Sequence, residues 1–294
     1  VAGALVRRPL DAAAIAHALR GARLGTHVVA CPSVASTMDA AAALAAAGTP
    51  AGAVVLADVQ TAGRGRHGRA WLAPPGTALM LSIVLRPDIP PERLPQALMA
   101  VALGALEAIA GRLPADAPLG LKWPNDIVVG DRKIAGLLAE TAWRGSDRPV
   151  VIVGLGLNVS QAPAALPDGA VSLQLAGARD LARTDLAIDV LRAADRQYAD
   201  VLAGIDLVPR WSARLSTLGR GVAVRDAVSG AVVAEGQATG VGADGALEVT
   251  GADGRVVVVR AGDVTLAGDS YPTPEHARGG HQSGEPPDST VAGY

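Results

Sequence analysis

Gln60-Thr61-Ala62-Gly63-Arg64-Gly65-Arg66-His67-Gly68-Arg69-Ala70-Trp71 is the stretch on which the reading of this chain turns. Three glycines, three arginines and a histidine fall within the seven residues from Gly63 to Arg69. Apolar runs with strand character flank it, Val54 to Val59 before and Thr77 to Leu85 after. Glycine permits unusual dihedrals and close approach, and the arginine fork matches carboxylate and phosphate geometry. A loop with both, held between two strands, is suited to fold over an anionic ligand.

Gly63, Gly65 and Gly68 also fit the spacing of a dinucleotide-binding turn, but that turn must open a helix. Trp71-Leu72-Ala73-Pro74-Pro75-Gly76 follows instead, and two prolines with a glycine argue against one. A solvated basic hairpin loop and a nucleic-acid-binding arm remain as alternatives. Composition weighs against the second. The net charge of the 294 residues is −2, and with four Trp, three Tyr and no Phe there are few platforms for stacking bases. The single cysteine, Cys31, excludes an internal disulfide and fits a reducing compartment. No membrane-spanning apolar run and no secretory-type start stand out, so a soluble cytoplasmic protein is expected.

Rare residues carry a second signal. The chain has 24 Arg but only two Lys, Lys122 and Lys133, and only two Asn, Asn125 and Asn158. All four lie between positions 122 and 158. Lysine's compact ammonium does not substitute for arginine's planar fork, so these positions are expected to need their own side-chain chemistry.

Taken in order, Leu10 to Arg20 reads as a short helix and His27 to Cys31 as a strand. One helix leaves no room for a DNA-reading helix-turn-helix before that strand. Ser36 suits the N-cap of an alanine-rich helix ending at Gly48, with Asp39 in a capping-box place. Its hydroxyls and amides are alternatively suited to a polar ligand group. Glu92 to Ala110 is a strongly patterned core helix. Lys122-Trp123-Pro124-Asn125-Asp126 leads into a strand, Gly130-Asp131 makes a two-residue hairpin turn, and Lys133 to Glu140 returns. Lys133 is there either a strand-edge guard or a ligand-facing charge. Val150 to Val159 is a buried strand whose Gly154 and Gly156 mark a close approach.

Thr184 to Ala203 is a helix capped by Thr184, with Val190, Leu191, Ala194, Tyr198 and Leu202 along one face. After Leu218, short strands at 222–225, 232–235, 246–249 and 256–260 predict a small all-β barrel. The Pro- and Gly-rich end, with His276 and His281, reads as disordered.

The run from Thr61 to Arg69, Lys122-Trp123-Pro124-Asn125-Asp126, Lys133-Ile134-Ala135-Gly136 and Gly154-Leu155-Gly156-Leu157-Asn158 stand in the order and spacing of the bacterial biotin–protein ligases. The chain resembles that family over roughly residues 25 to 267. It resembles most the actinobacterial members and the short form without the N-terminal DNA-binding domain of the repressor form. The resemblance implies an α+β fold: a mixed sheet with helices mainly on one face, plus a small C-terminal SH3-like β-barrel. It divides the chain into a catalytic domain (1–218), the barrel (219–268) and a tail (269–294).

The same resemblance implies a two-step reaction in which biotin and Mg-ATP give biotinyl-5′-AMP, whose acyl group passes to a lysine of a biotin carboxyl carrier domain. Ser36, Thr37 and Gln60 would hold biotin's ureido ring. Gly63, Arg64 and Lys133 would meet its carboxyl end. Arg66 and Arg69 would clamp phosphates, with Arg64 beside them, and Trp71 would wall the closed site. Lys122, Asn125 and Asp126 belong to the nucleotide and magnesium side, while Gly136, Gly154, Gly156 and Asn158 border the pockets. Lys133, Arg66 and Asp126 are the residues expected to act in catalysis. Met38 departs from the pattern, standing where the family usually has Asn. A lipoate–protein ligase of the same fold is the neighbouring reading.

Overall fold

The computed structural model of the chain describes residues 8–142 and 149–266, so the Pro/Gly-rich tail expected from 269 lies outside the described residues. Seven strands form one sheet in the order β1-β2-β3-β7-β6-β5-β4. They are β1 (His27–Cys31), β2 (Ala53–Ala57), β3 (Ala78–Leu85), β4 (Leu119–Lys122), β5 (Asp126–Val129), β6 (Arg132–Ala142) and β7 (Val150–Asn158). Only β1 and β2 run parallel; every other pairing is antiparallel, which makes the sheet mixed. Every residue of β2 and β3 is buried. Strands covered on both faces need apolar residues at successive positions, and Ala-Leu-Met-Leu-Ser-Ile-Val-Leu of β3 supplies them with one polar exception.

Helices α1 (Ala12–Ala18), α3 (Pro95–Ala110) and α4 (Arg183–Leu202) pack with one face of the sheet in a single core. Gly104 lets α3 and α4 approach closely, since a Cβ there would lie 2.3 Å from the Ala194 nitrogen. On the opposite face α2 (Thr37–Ala46) lays Met38, Ala41 and Ala45 against Ala53, Val55, Val84, Val150 and Ile152. Pro91–Ala110 is long and apolar enough by composition to cross a membrane, contrary to the reading that no such run stands out, but here it is a core helix.

Two details of α4 differ from expectation. Thr184 is not the cap: the helix begins at Arg183 and Thr184 Oγ1 accepts the main-chain N–H of Asp11. Leu202 is 39% exposed because in the last turn Val201, at 0%, takes the core-facing position. The short α5 (Val208–Ser212) then leads to a second sheet.

That sheet is antiparallel, in the order β11-β10-β9-β8-β12. Its strands are β8 (Gly221–Arg225), β9 (Val232–Val241), β10 (Leu247–Thr250), β11 (Val256–Val259) and β12 (Asp263–Leu266). Four of them were expected; β12, four residues long and opening on Asp263, was not. Trp123 pins the two sheets together. Its Nε1 donates to the Gly245 carbonyl at 2.8 Å and its main-chain N–H to Thr217 Oγ1 at 3.0 Å.

Candidate active site

The glycine–arginine loop closes on itself before it meets anything else. Gly65 N–H donates to the Arg69 carbonyl and Trp71 N–H to the Gly63 carbonyl, with a single 3-10 turn at Arg66–Gly68 between. His67 sits in the left-handed region, φ 55°, inside that turn. The loop thus folds as a small finger over the sheet, and beneath it lies a cavity of about 360 Å³. The start of α2, the finger, β6 and the middle of β7 all contribute walls.

At one part of this cavity Ser36, Thr37 and Gln60 form a polar floor. Ser36 caps α2, its Oγ accepting from Met38 N–H at 3.2 Å, so the capping reading is correct for the side chain. Asp39 does not complete a capping box; its carboxylate goes to Arg64 at 2.7 Å. Gln60 Oε1 accepts from both the N–H and the hydroxyl of Thr37, and Ser82 Oγ donates to Thr37 Oγ1. Met38 lines the apolar side, its sulfur lying where a Cβ of Gly154 would have to be.

The other part is charged. Lys133 Nζ stands 2.7 Å from Asp126 Oδ1 and 5.7 Å from the centre of the Trp71 ring. Arg69 pairs with Asp263, and Arg66 donates to the Gly262 carbonyl at 3.3 Å, so both lean on the beginning of β12. Burial, with the neighbouring Arg69 charge, draws the Arg66 guanidinium below its usual range, and Asp126 opposes that shift. Trp71 Nε1 is buried without a hydrogen-bond partner among the described residues, a donor in the wall that a ligand acceptor would satisfy.

A model of the biotin/lipoate A/B protein ligase family matches residues 30–158. The biotin–[acetyl-CoA-carboxylase] ligase of Mycobacterium tuberculosis is 34% identical over 224 residues, which cover 74% of this chain and 82% of that protein. The chain belongs to the biotin/lipoate protein ligase family. The bifunctional ligase/repressor of Bacillus subtilis is 33% identical over 67% of this chain, and the match spans 62% of that relative's length. The solved biotin protein ligase of Aquifex aeolicus, in complex with biotin and ATP, is similar in structure with a TM-score of 0.66 at 26% identity. The likeness covers 82% of this chain and 98% of that one.

As a member of the biotin/lipoate protein ligase family, the chain brings most of the expected residues to one place. Ser36, Thr37, Gln60, Arg64, Arg66, Arg69, Trp71, Asn125, Asp126, Lys133, Gly136, Gly154 and Gly156 all line the cavity. Three residues sit off its wall. Gly63 lies behind the finger, where a Cβ would strike the Trp71 carbonyl and the Gln60 amide. Lys122 lies on β4, opposite Asp126 in register. Asn158 is buried, donating to the Val171 carbonyl and accepting from Gln161 Nε2, so its amide holds the segment after β7. Arg64 lines the cavity but points its guanidinium at Asp39 and Glu140, tying the finger to α2 and β6. Asp263 and Ser82 were missed. Asp263 is one acid among many in the sequence, and Ser82 is one hydroxyl in an apolar strand.

Proposed function

We propose that this chain is an ATP-dependent biotin–protein ligase. The observation that carries the reading is one cavity with two unlike parts, a hydrogen-bonding floor at Thr37 and Gln60 and a cationic part at Lys133, Arg66 and Arg69. A bicyclic urea fits the first and a carboxylate meeting a polyphosphate fits the second. In step one a carboxylate oxygen of biotin attacks the α-phosphorus of ATP, the bond to the bridging oxygen breaks and pyrophosphate leaves. Two anions repel on approach, and fixed cations offset that repulsion while stabilising the leaving charge. One such donor is worth about 10²–10³ in rate, roughly 3–4 kcal/mol.

In step two the amine of an acceptor lysine attacks the acyl carbon and AMP departs. Asp126 is engaged by Lys133 in this state. Lys133 turns to the bound acyl phosphate, and Asp126 is then free to receive the proton of the acceptor amine. Magnesium travels with the ATP phosphates; Asp126 and Asp263 are the cavity carboxylates whose hard oxygens suit it. Residues 219–268 act in this reading as an SH3-like barrel beside the catalytic domain of residues 1–218, and a carboxylase carrier domain is the acceptor. The enzyme is cytoplasmic, where both of its small substrates are at hand.

The test is ATP–pyrophosphate exchange with biotin or lipoate, followed by streptavidin detection of a carrier fragment. Exchange with biotin and labelling of the fragment support the reading. Exchange with lipoate alone assigns the chain to the other branch of the family. A salt-dependent nucleic-acid gel shift without adenylation would overturn both.

A further inference from the structure

The polarity of the cavity floor follows from one main-chain group. Thr37 N–H lies 2.7 Å from Gln60 Oε1. A backbone N–H only donates, so the oxygen end of the Gln60 amide faces Thr37 and its NH2 faces away. Thr37 Oγ1 is 3.0 Å from that same oxygen, which fixes where the hydroxyl hydrogen goes. Ser82 Oγ is 2.8 Å from Thr37 Oγ1 and, with Thr37's hydrogen already committed, must be the donor.

Ser82 is the one polar residue of β3 and is 0% exposed; Thr37 is 3% exposed. A hydroxyl buried in an apolar strand is unfavourable unless it is hydrogen-bonded, and alanine would pack there without that penalty. Ser82 does not itself line the cavity, whereas Thr37 and Gln60 do. Its hydrogen bond therefore reaches a ligand through Thr37.

We infer that Ser82 is a specificity-positioning residue: by occupying one lone pair of Thr37 Oγ1 it orients that acceptor, beside the Gln60 donor, toward a cyclic urea. With one lone pair of Thr37 Oγ1 taken by Ser82, the other is left for a ligand N–H. Both lone pairs of Gln60 Oε1 are taken by Thr37. Among the described residues its Nε2 has only a 3.5 Å contact to Met80 Sδ, leaving a hydrogen for a ligand carbonyl. An N–H and a C=O side by side are what a cyclic urea presents. The dithiolane of lipoate presents neither and leaves both groups unmatched. This inference rests on the biotin-ligase reading above.

The experiment is biotin-dependent ATP–pyrophosphate exchange with the full chain, its Ser82→Ala variant and its Ser82→Cys variant. Ser82→Ala raises KM for biotin about tenfold, the worth of one buried hydrogen bond, and leaves kcat and KM for ATP within about twofold. Ser82→Cys, a weaker donor of similar size, falls between. A cyclic carbamate analogue, with one ureido N–H replaced by oxygen, is the second probe. The wild type discriminates against it, and Ser82→Ala loses part of that discrimination.

A residue that only filled space would leave KM for biotin and the discrimination unchanged in Ser82→Ala, and that result overturns the inference. An equal rise in KM for both substrates, marking general loosening, overturns it too. If Ser82→Ala fails to fold, the same two comparisons are made with Ser82→Cys. Absence of biotin-dependent exchange in the wild type sinks the ligase reading, and this inference with it. An active wild type with an insensitive Ser82→Ala sinks only the inference.

Discussion

Gly156 on β7 leaves its side-chain space to Trp71: a Cβ there would lie 2.4 Å from Trp71 Cε2 and 2.7 Å from Cζ2. The glycine inside the strand is thus a seat for the far end of the glycine–arginine finger. Gly156→Ala is expected to lift the indole, and with it the arginines of the loop. Overpacking of this kind lowers stability by about 1–3 kcal/mol. Misplacing a catalytic loop by an ångström is expected to lower exchange activity about 10²-fold. Tryptophan fluorescence and the exchange assay read the two effects; full activity with an unchanged emission spectrum would contradict the packing argument.

Lys133, like Trp71, lies over a glycine. A Cβ on Gly136 would meet Lys133 Cε and Nζ at 2.9 Å, so the ammonium lies across a glycine while it faces Asp126. An arginine fork is wider and flat, and does not fit this channel as a point charge does. Lys133→Ala is expected to abolish adenylate formation, and Lys133→Arg to recover less than about a tenth of the rate. The measurement is single-turnover formation of the adenylate. Wild-type rates in Lys133→Arg would show that charge alone suffices.

Much of this site is legible in the chain because local chemistry marks it. The finger announces itself through glycine and arginine density, and the scarcity of Lys and Asn leads to Lys133 and Asn125, which line the cavity. The same scarcity also leads to Asn158, whose amide is committed to Val171 and Gln161. Rarity shows that a side chain is needed and is silent on whether a ligand or the fold needs it. The contacts that were not legible are long-range. Arg69 meets Asp263 across 194 residues of sequence, and nothing around Asp263 sets it apart from other acids. Thr184 failed as a cap for the same reason, since Asp11, distant in sequence, uses its hydroxyl.

Trp123, in the middle of the motif that opens β5, illustrates a motif residue that serves the frame. Its indole N–H reaches the Gly245 carbonyl of the second sheet, and the ring is buried at 2% exposure. Trp123→Phe keeps most of the apolar burial and removes that one donor. Stability is expected to fall by about 0.5–1.5 kcal/mol, the net worth of one hydrogen bond to a part-buried carbonyl. Thermal unfolding measures this. No change in melting temperature would mean that the two sheets do not depend on this bond.

His67 gives the molecule a pH dependence of known sign. Burial comes first, then the Arg66 and Arg69 charges, in drawing its imidazole below the ordinary 6.5, while Asp226 opposes them. The unfolded chain therefore takes up this proton more readily than the folded one, so stability falls as pH drops through 6.5 toward the lower folded value. Above 6.5 the group is neutral in both states and contributes no slope. The effect is small because the side chain is largely exposed. His67→Gln keeps a polar side chain at φ 55° and cannot titrate. Melting temperature measured from about pH 7.5 down to about pH 5.5 should decline less in His67→Gln than in the wild type. Parallel declines would assign the acid sensitivity to groups other than His67.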